Sequence, residues 1–300
     1  MYCKGILPQK YSIVNIFKGK VRALCRQKSL GNDIISEVKN WSILLLKQQQ
    51  LDQAPWTIWQ TFSGILWTLV PYITFSLLAS FSSTSSVHRT KLVPISPQVD
   101  LIAALVYFVY ALVGEGIFLI APAYYAKKTS YGERHSIIQA LGFKRFNIRR
   151  VLPWMILLFL SFFLVNYIYQ LIITTLHLSL RTNDEVVLQH GRTAPISTYA
   201  TLLAASIIAP VCEEVFFRSF ILMGFLRSMS VGVAIVSSAF LFALVHQDIA
   251  SFAVLFCIGL ALAFLRWYSN SIWPGIIVHT LNNATSAILI ILTLHNVIKG

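Results

Sequence analysis

This chain is short of charge. Only 12% of its 300 residues are Asp, Glu, Lys or Arg, and eleven of those are acids. Soluble domains carry about 25% charged residues. A chain that is 56% hydrophobic with a mean hydropathy of +0.69 falls outside that class. Cysteine is scarce as well: Cys3, Cys25, Cys212 and Cys257 are scattered, without paired or metal-ligand spacing. That excludes a disulfide framework and a cysteine-built zinc site. Cys212 lies beside Glu213 but has no local base to activate a thiol nucleophile. The zinc-protease pattern HExxH is absent, no internal repeat is visible, and the N-terminal region holds no uninterrupted apolar core of signal-peptide type.

What fills the chain instead is a series of apolar runs near the roughly 20 residues that a bilayer-crossing helix requires. Spans are expected at 58–81, 101–125, 152–178, 198–225, 230–246, 250–267 and 272–294. The fold class is therefore all-α, a polytopic transmembrane helical bundle of about seven spans, with the closely linked last four as its core. The chain divides into a basic N-terminal extension at 1–55, variable spans with a basic loop at 56–195, and the core helices at 196–300.

Lysine and arginine set the orientation. The connection 126–150 holds Lys127, Lys128, Arg134, Lys144, Arg145, Arg149 and Arg150, which places it and the N-terminus on the cytoplasmic or equivalent side. The net charge of +13 then reads as positive-inside bias and contact with anionic lipid headgroups, and a nucleic-acid partner is not expected. In the extension, Ile13, Ile16, Phe17 and Val21 recur at helical spacing among basic residues, the pattern of a helix lying on a membrane surface. An organelle transit sequence is the alternative, since the acid-poor start fits one.

The few acids are informative by position. Eight of the eleven fall outside the spans or at their edges, and only Glu115, Glu213 and Glu214 lie well inside. An ionisable side chain inside a span costs about 2.5–3.5 kcal/mol on insertion scales, so retention implies a role. In "EEVFFR", Glu214 and Arg218 are four apart and share a helix face, whereas Glu213 points about 140° away from the arginine at 100° per residue. Glu213 thus has no counterion on its own helix. A buried carboxylate so placed takes up protons readily, as a general base must, unless other helices supply donors.

Later spans carry candidate donors. Phe242 and His246 are one turn apart near the end of the fifth, and His279 and Asn283 are one turn apart in the seventh. The spacing permits these groups to converge on Glu213 without showing that they do. Each also has a plain structural reading, as an interhelical hydrogen bonder or a neutralised packing pair. Glu115, between Gly114 and Gly116, is expected to bond to a neighbouring helix, with a role in substrate access as the alternative.

Together, "EEVFFR", "FALVH" (Phe242, His246) and "HTLNN" (His279, Asn283) resemble the three-motif signature of the CPBP family, the CAAX protease and bacteriocin-processing family of intramembrane endopeptidases, also called Abi proteins. The likeness covers roughly 198–294, in the family's motif order. It implies Glu213 and His246 as the pair that activates water, His279 and Asn283 as oxyanion stabilisers, Glu214 and Arg218 as a supporting ion pair, and Phe242 as a packing residue. It also implies a membrane-embedded or lipidated peptide substrate, such as a prenylated CAAX-type C-terminus, and no cofactor. A zinc bound through Glu213, His246 and His279 is the alternative, since the family was long labelled metallopeptidase. Two rival functions stay open: a catalytically idle scaffold or immunity protein, and an ion or proton path along Glu115, Glu213 and His246.

Overall fold

Lipid offers backbone groups no hydrogen bonds, so an apolar run that crosses it must satisfy its own. Each of the seven expected segments is a helix in the computed structural model, which describes residues 54–84, 95–129, 134–180 and 182–298. The readings made for 1–53 fall outside the described residues. The helices are α1 (Ile58–Thr84), α2 (Pro97–Thr129), α3 (Arg134–Ala140), α4 (Ile148–Thr175), α5 (Asn183–Gly191), α6 (Pro195–Leu226), α7 (Val231–Val245), α8 (Phe252–Ser269) and α9 (Trp273–Leu294). No strand occurs among the described residues. The short α3 and α5 lie where the sequence reading expects plain connections. Against an expected seven spans, five described helices, α2, α4, α6, α8 and α9, are long and apolar enough to cross a membrane. The chain is an integral membrane protein.

The central helix is α6. Some 56% of its apolar window is buried, against 11% for α2 and 6% for α4, which turn Leu101, Ile102 and Leu105, and Leu157, Leu160 and Leu164, outward. Outward leucine and isoleucine cost nothing where the solvent is lipid. The sequence reading places the core in the last four helices; the packing adds α2, which touches α6 more extensively than any other described pair touches. Its buried stripe includes Asp100, Ala104, Phe118, Pro122 and Tyr125, at helical spacing. At one end of that stripe the Asp100 carboxylate accepts the N–H groups of Ile196 (2.7 Å) and Ser197 (3.0 Å). It caps the first turn of α6, which opens on Pro195, from a neighbouring helix.

The middle of α6 departs from α-helical winding. Residues Glu214–Ile221 form a π-helical stretch, and the Leu222 N–H reaches back five residues to the Phe217 carbonyl. Wider winding leaves carbonyls under-used, and side chains of other segments serve them: Ser238 of α7 donates to Phe217 O (2.9 Å) and the Trp56 indole donates to Phe220 O (3.2 Å).

A clasp fixes where α9 begins. Ser271 donates to the Lys144 carbonyl (2.6 Å), Ile272 N–H to the Gly142 carbonyl (2.9 Å), and the Ser219 hydroxyl of α6 to the Leu141 carbonyl. Gly142 sits at φ +81° against the guanidinium of Arg266, a left-handed backbone that a side chain would strain.

Candidate active site

Glu213 ends the α-helical part of α6 and Glu214 opens the π-helical part. Both are buried, at 8% and 0% exposure. Arg218, also at 0%, pairs with Glu214 through Nη1–Oε1 at 3.3 Å. Its guanidinium lies 4.2 Å from the centroid of the Phe242 ring, so an aromatic face shares its charge with the carboxylate. The sequence reading turns Glu213 about 140° from Arg218 at 100° per residue; in the structure the winding just past Glu213 is π-helical, so that angle does not carry over as it stands.

Two histidines from other helices face Glu213. His246, at the C-cap of α7, brings Nε2 to 4.0 Å from Oε1, and His279 of α9 brings Nε2 to 3.7 Å from Oε2. Their other nitrogens are held. The His246 Nδ1–H donates to the Phe242 carbonyl at 2.7 Å, and the His279 Nδ1–H donates to Glu214 Oε1 at 3.3 Å. A carbonyl or carboxylate can only accept, so each contact puts a proton on Nδ1 and turns Nε2 toward Glu213. Phe242 braces the group, with ring centroids 4.7 Å from His246, 5.8 Å from His279 and 5.4 Å from Phe217.

Close approach of α9 depends on a missing side chain. A Cβ on Gly275 would collide with Glu214 Oε2, so glycine lets the start of α9 pass against the carboxylate that holds His279. Asn283 stands one turn beyond His279, and its amide donates to the Ala205 carbonyl of α6 (2.9 Å). That bond joins α9 to α6 and leaves one amide hydrogen as a further donor.

Glu115 is the residue whose place the sequence reading misjudges. Its Oε2 is buried and has no hydrogen-bond partner, in place of the expected bond to a neighbouring helix. It lies on the α6-facing side of α2, three residues before Phe118, within electrostatic reach of Glu213. The signal was present in the short count of intramembrane acids; the contact depends on how α2 packs on α6. Gly275 and Ser238 carried no comparable signal.

The arrangement brings carboxylates, imidazoles and a guanidinium from α6, the end of α7 and α9 into one cluster, with Glu213 Oε1 and His246 Nε2 4.0 Å apart. Among the described residues, no group of three His, Cys, Asp or Glu side chains is arranged to hold a metal ion. The donor set of Glu213, His246 and His279 therefore does not fit a zinc as it stands, and no step is derived through one.

Residues 195–285 match the family model described as Type II CAAX prenyl endopeptidase Rce1-like. The match spans α6, α7, α8 and α9 as far as two residues past Asn283, and so takes in all three motifs. No curated protein and no solved structure matches the chain. The match makes these four helices similar to the type II CAAX prenyl endopeptidases over that stretch, about a third of the chain.

Proposed function

We propose that this protein is an intramembrane endopeptidase of the CAAX-protease type that hydrolyses a membrane-associated peptide with water activated by Glu213, without a metal. The observation that carries the reading is the convergence of two imidazoles from α7 and α9 on a buried carboxylate of α6, at 4.0 and 3.7 Å. A water between Glu213 Oε1 and His246 Nε2 can donate one hydrogen to each. As its oxygen bonds to the peptide carbonyl carbon, Glu213 takes the proton and acts as general base.

The developing oxyanion needs donors set in advance. His279 fills that role through Nε2 when both ring nitrogens carry protons, a form that the flanking Glu213 and Glu214 accommodate. The free amide hydrogen of Asn283 is the second donor. Glu214 and Arg218 stay out of bond making; they hold His279 and keep the buried charges near balance. The substrate is membrane-embedded or lipidated, for example a prenylated CAAX-type C-terminus, reached sideways through lipid. The basic end of the bundle, with Lys144, Arg145, Arg149 and Arg150, rests on anionic headgroups at the cytoplasmic or equivalent face.

The test is cleavage by purified protein in detergent of a farnesylated CAAX peptide and an unprenylated control, with and without chelator. Wild type cuts the farnesylated peptide at a rate the chelator leaves unchanged. Glu213→Gln and His246→Ala each lose about 10²–10⁴-fold, the range of general acid–base catalysis, while remaining folded. Wild-type cleavage by Glu213→Gln refutes the assignment, and loss on chelation refutes the metal-free route.

A further inference from the structure

The His246 ring is fixed to its own helix through its Nδ1–H on the Phe242 carbonyl (2.7 Å). That bond does not set where the end of α7 stands relative to Glu213 of α6. The chain turns sharply at that end, with Gln247 at φ +52°, a left-handed backbone that residues with side chains seldom adopt. Two residues past His246 the Asp248 carboxylate is buried, and both its oxygens are engaged. Oδ1 accepts the Ser251 N–H at the start of α8 (3.0 Å), and Oδ2 accepts the N–H of Asn183, the first residue of α5 (3.2 Å). N–H groups at a helix start lack partners within their own helix, so both suit a carboxylate. Tyr169 of α4 donates to the Ala250 carbonyl in the same loop. Helix α5 is itself seated on the other two carriers of the site. Its Val187 and Leu188 pack on Leu202 of α6 with Ala287 and Ile290 of α9, and a Cβ on Gly191 would strike Leu294 of α9. A continuous line of contacts therefore runs from His246 through Asp248 and α5 to the helices that bear Glu213 and His279.

We propose that Asp248 is a positioning residue for His246, a strap that ties the end of α7 to α5 and so holds the imidazole 4.0 Å from Glu213, a gap that one water bridges. Its effect on turnover rests on the peptidase reading; its effect on the place of His246 does not. A carboxylate suits the task, because each oxygen serves one N–H and the charge sits at the start of two helices, where their dipoles favour it. A carboxamide of the same shape does not. Its oxygen accepts one N–H, and its NH2 then confronts the other, donor against donor. Loss of the bond to α5 frees the loop and lets the last turn of α7 drift, and a misplacement of about 1 Å costs up to about 10²-fold in rate.

Two variants cut the strap from opposite sides. Asp248→Asn spoils the acceptor. Asn183→Pro removes only the donor: proline is at home in the first position of a helix, and Thr182 before it already has the extended backbone that proline requires (φ −82°, ψ 161°). The first readout needs no cleavage. Diethyl pyrocarbonate acylates neutral imidazole, and mass spectrometry of the folded full-length protein in detergent locates the adduct; the His246 side chain is 25% exposed and that of His279 4%. Both variants raise the acylation rate of His246 several-fold and leave His279 as in wild type. In the farnesylated-peptide assay each lowers kcat about 10–10²-fold with KM little changed, yet lowers the residual rate of His246→Ala by less than about twofold, because the strap acts through that imidazole. The proposal is overturned by an unchanged His246 acylation rate or wild-type kcat in either folded variant, by a parallel rise at His279 that marks general loosening, or by the same fold-loss of kcat with and without His246. If wild type cleaves neither peptide, the peptidase reading fails on its own, and the acylation rates still decide whether Asp248 holds His246.

Discussion

At the scale of single residues, the site turns on what burial does to charge. Arg218 and Glu214 are wholly inaccessible, so each is tolerable only because the other is there. Glu214→Ala strands the guanidinium among Phe217 and Phe242 and is expected to destabilise by about 3–5 kcal/mol, the cost of breaking a buried pair. Replacing both partners, as Glu214→Leu with Arg218→Met, removes the stranded charge and recovers most of that stability. It does not recover cleavage, because His279 has lost the acceptor that fixes its Nδ1. Unfolding in mixed micelles of dodecyl sulfate and a mild detergent reads the first effect, and peptide cleavage the second; equal stability of the single and double variants would sink the argument. Much of this was legible in the sequence, since the spacing of 214 and 218, of 242 and 246, and of 279 and 283 each specifies a shared helix face. Which ring nitrogen meets Glu213 was not, because the Phe242 carbonyl and Glu214 decide it, and those are contacts of the folded bundle.

At the scale of elements, length and close approach do the positioning. Helix α7 has 15 residues, about 22 Å at the usual rise, which is less than the roughly 30 Å of a hydrocarbon core. It stops at His246, opposite Glu213, and that shortness keeps the imidazole at the level of the carboxylate. Sequence reading places the segment at 230–246 and so finds its ends, whereas the π-helical stretch of α6 escapes a reading that winds every helix at 100° per residue. The packing of α7 depends on α8: a Cβ on Gly259 would stand 3.0 Å from Ala239 Cα and 3.2 Å from its carbonyl oxygen, and backbone cannot swing aside. Gly259→Ala is therefore expected to cost about 1–3 kcal/mol by overpacking and to lower kcat as His246 shifts from Glu213. Gly232, on the first turn of α7, has nothing within 4 Å of its added Cβ. There Gly→Ala should be neutral or stabilise by up to about 1 kcal/mol through a less free unfolded chain. The contrast is the check: if both variants behave alike in unfolding and cleavage assays, close approach of α7 and α8 is not what holds His246.

Across the whole molecule, charge is divided between two ends. At one end Arg150 donates to the Tyr268 hydroxyl (3.1 Å), Lys128 lies over the Tyr124 ring, and Ser271 holds the Lys144 carbonyl. At the other, Asp248 accepts from the Asn183 and Ser251 N–H groups, and Asp100 caps α6. Basic residues beside tyrosine suit the boundary between hydrocarbon and anionic headgroups, and on the lysine and arginine excess we propose that this end faces the cytoplasmic or equivalent side. Single cysteines test this in a background with the four native cysteines replaced by serine. Arg145→Cys and Glu185→Cys both put the thiol at exposed positions, one at each end. In sealed inside-out vesicles, an impermeant maleimide should label position 145 and spare position 185, with the pattern reversed in right-side-out vesicles. Labelling of both from one side would show that the two ends do not face opposite compartments. A clean reversal would instead keep the span architecture and invert the orientation, moving the basic loop away from the leaflet whose anionic headgroups favour it.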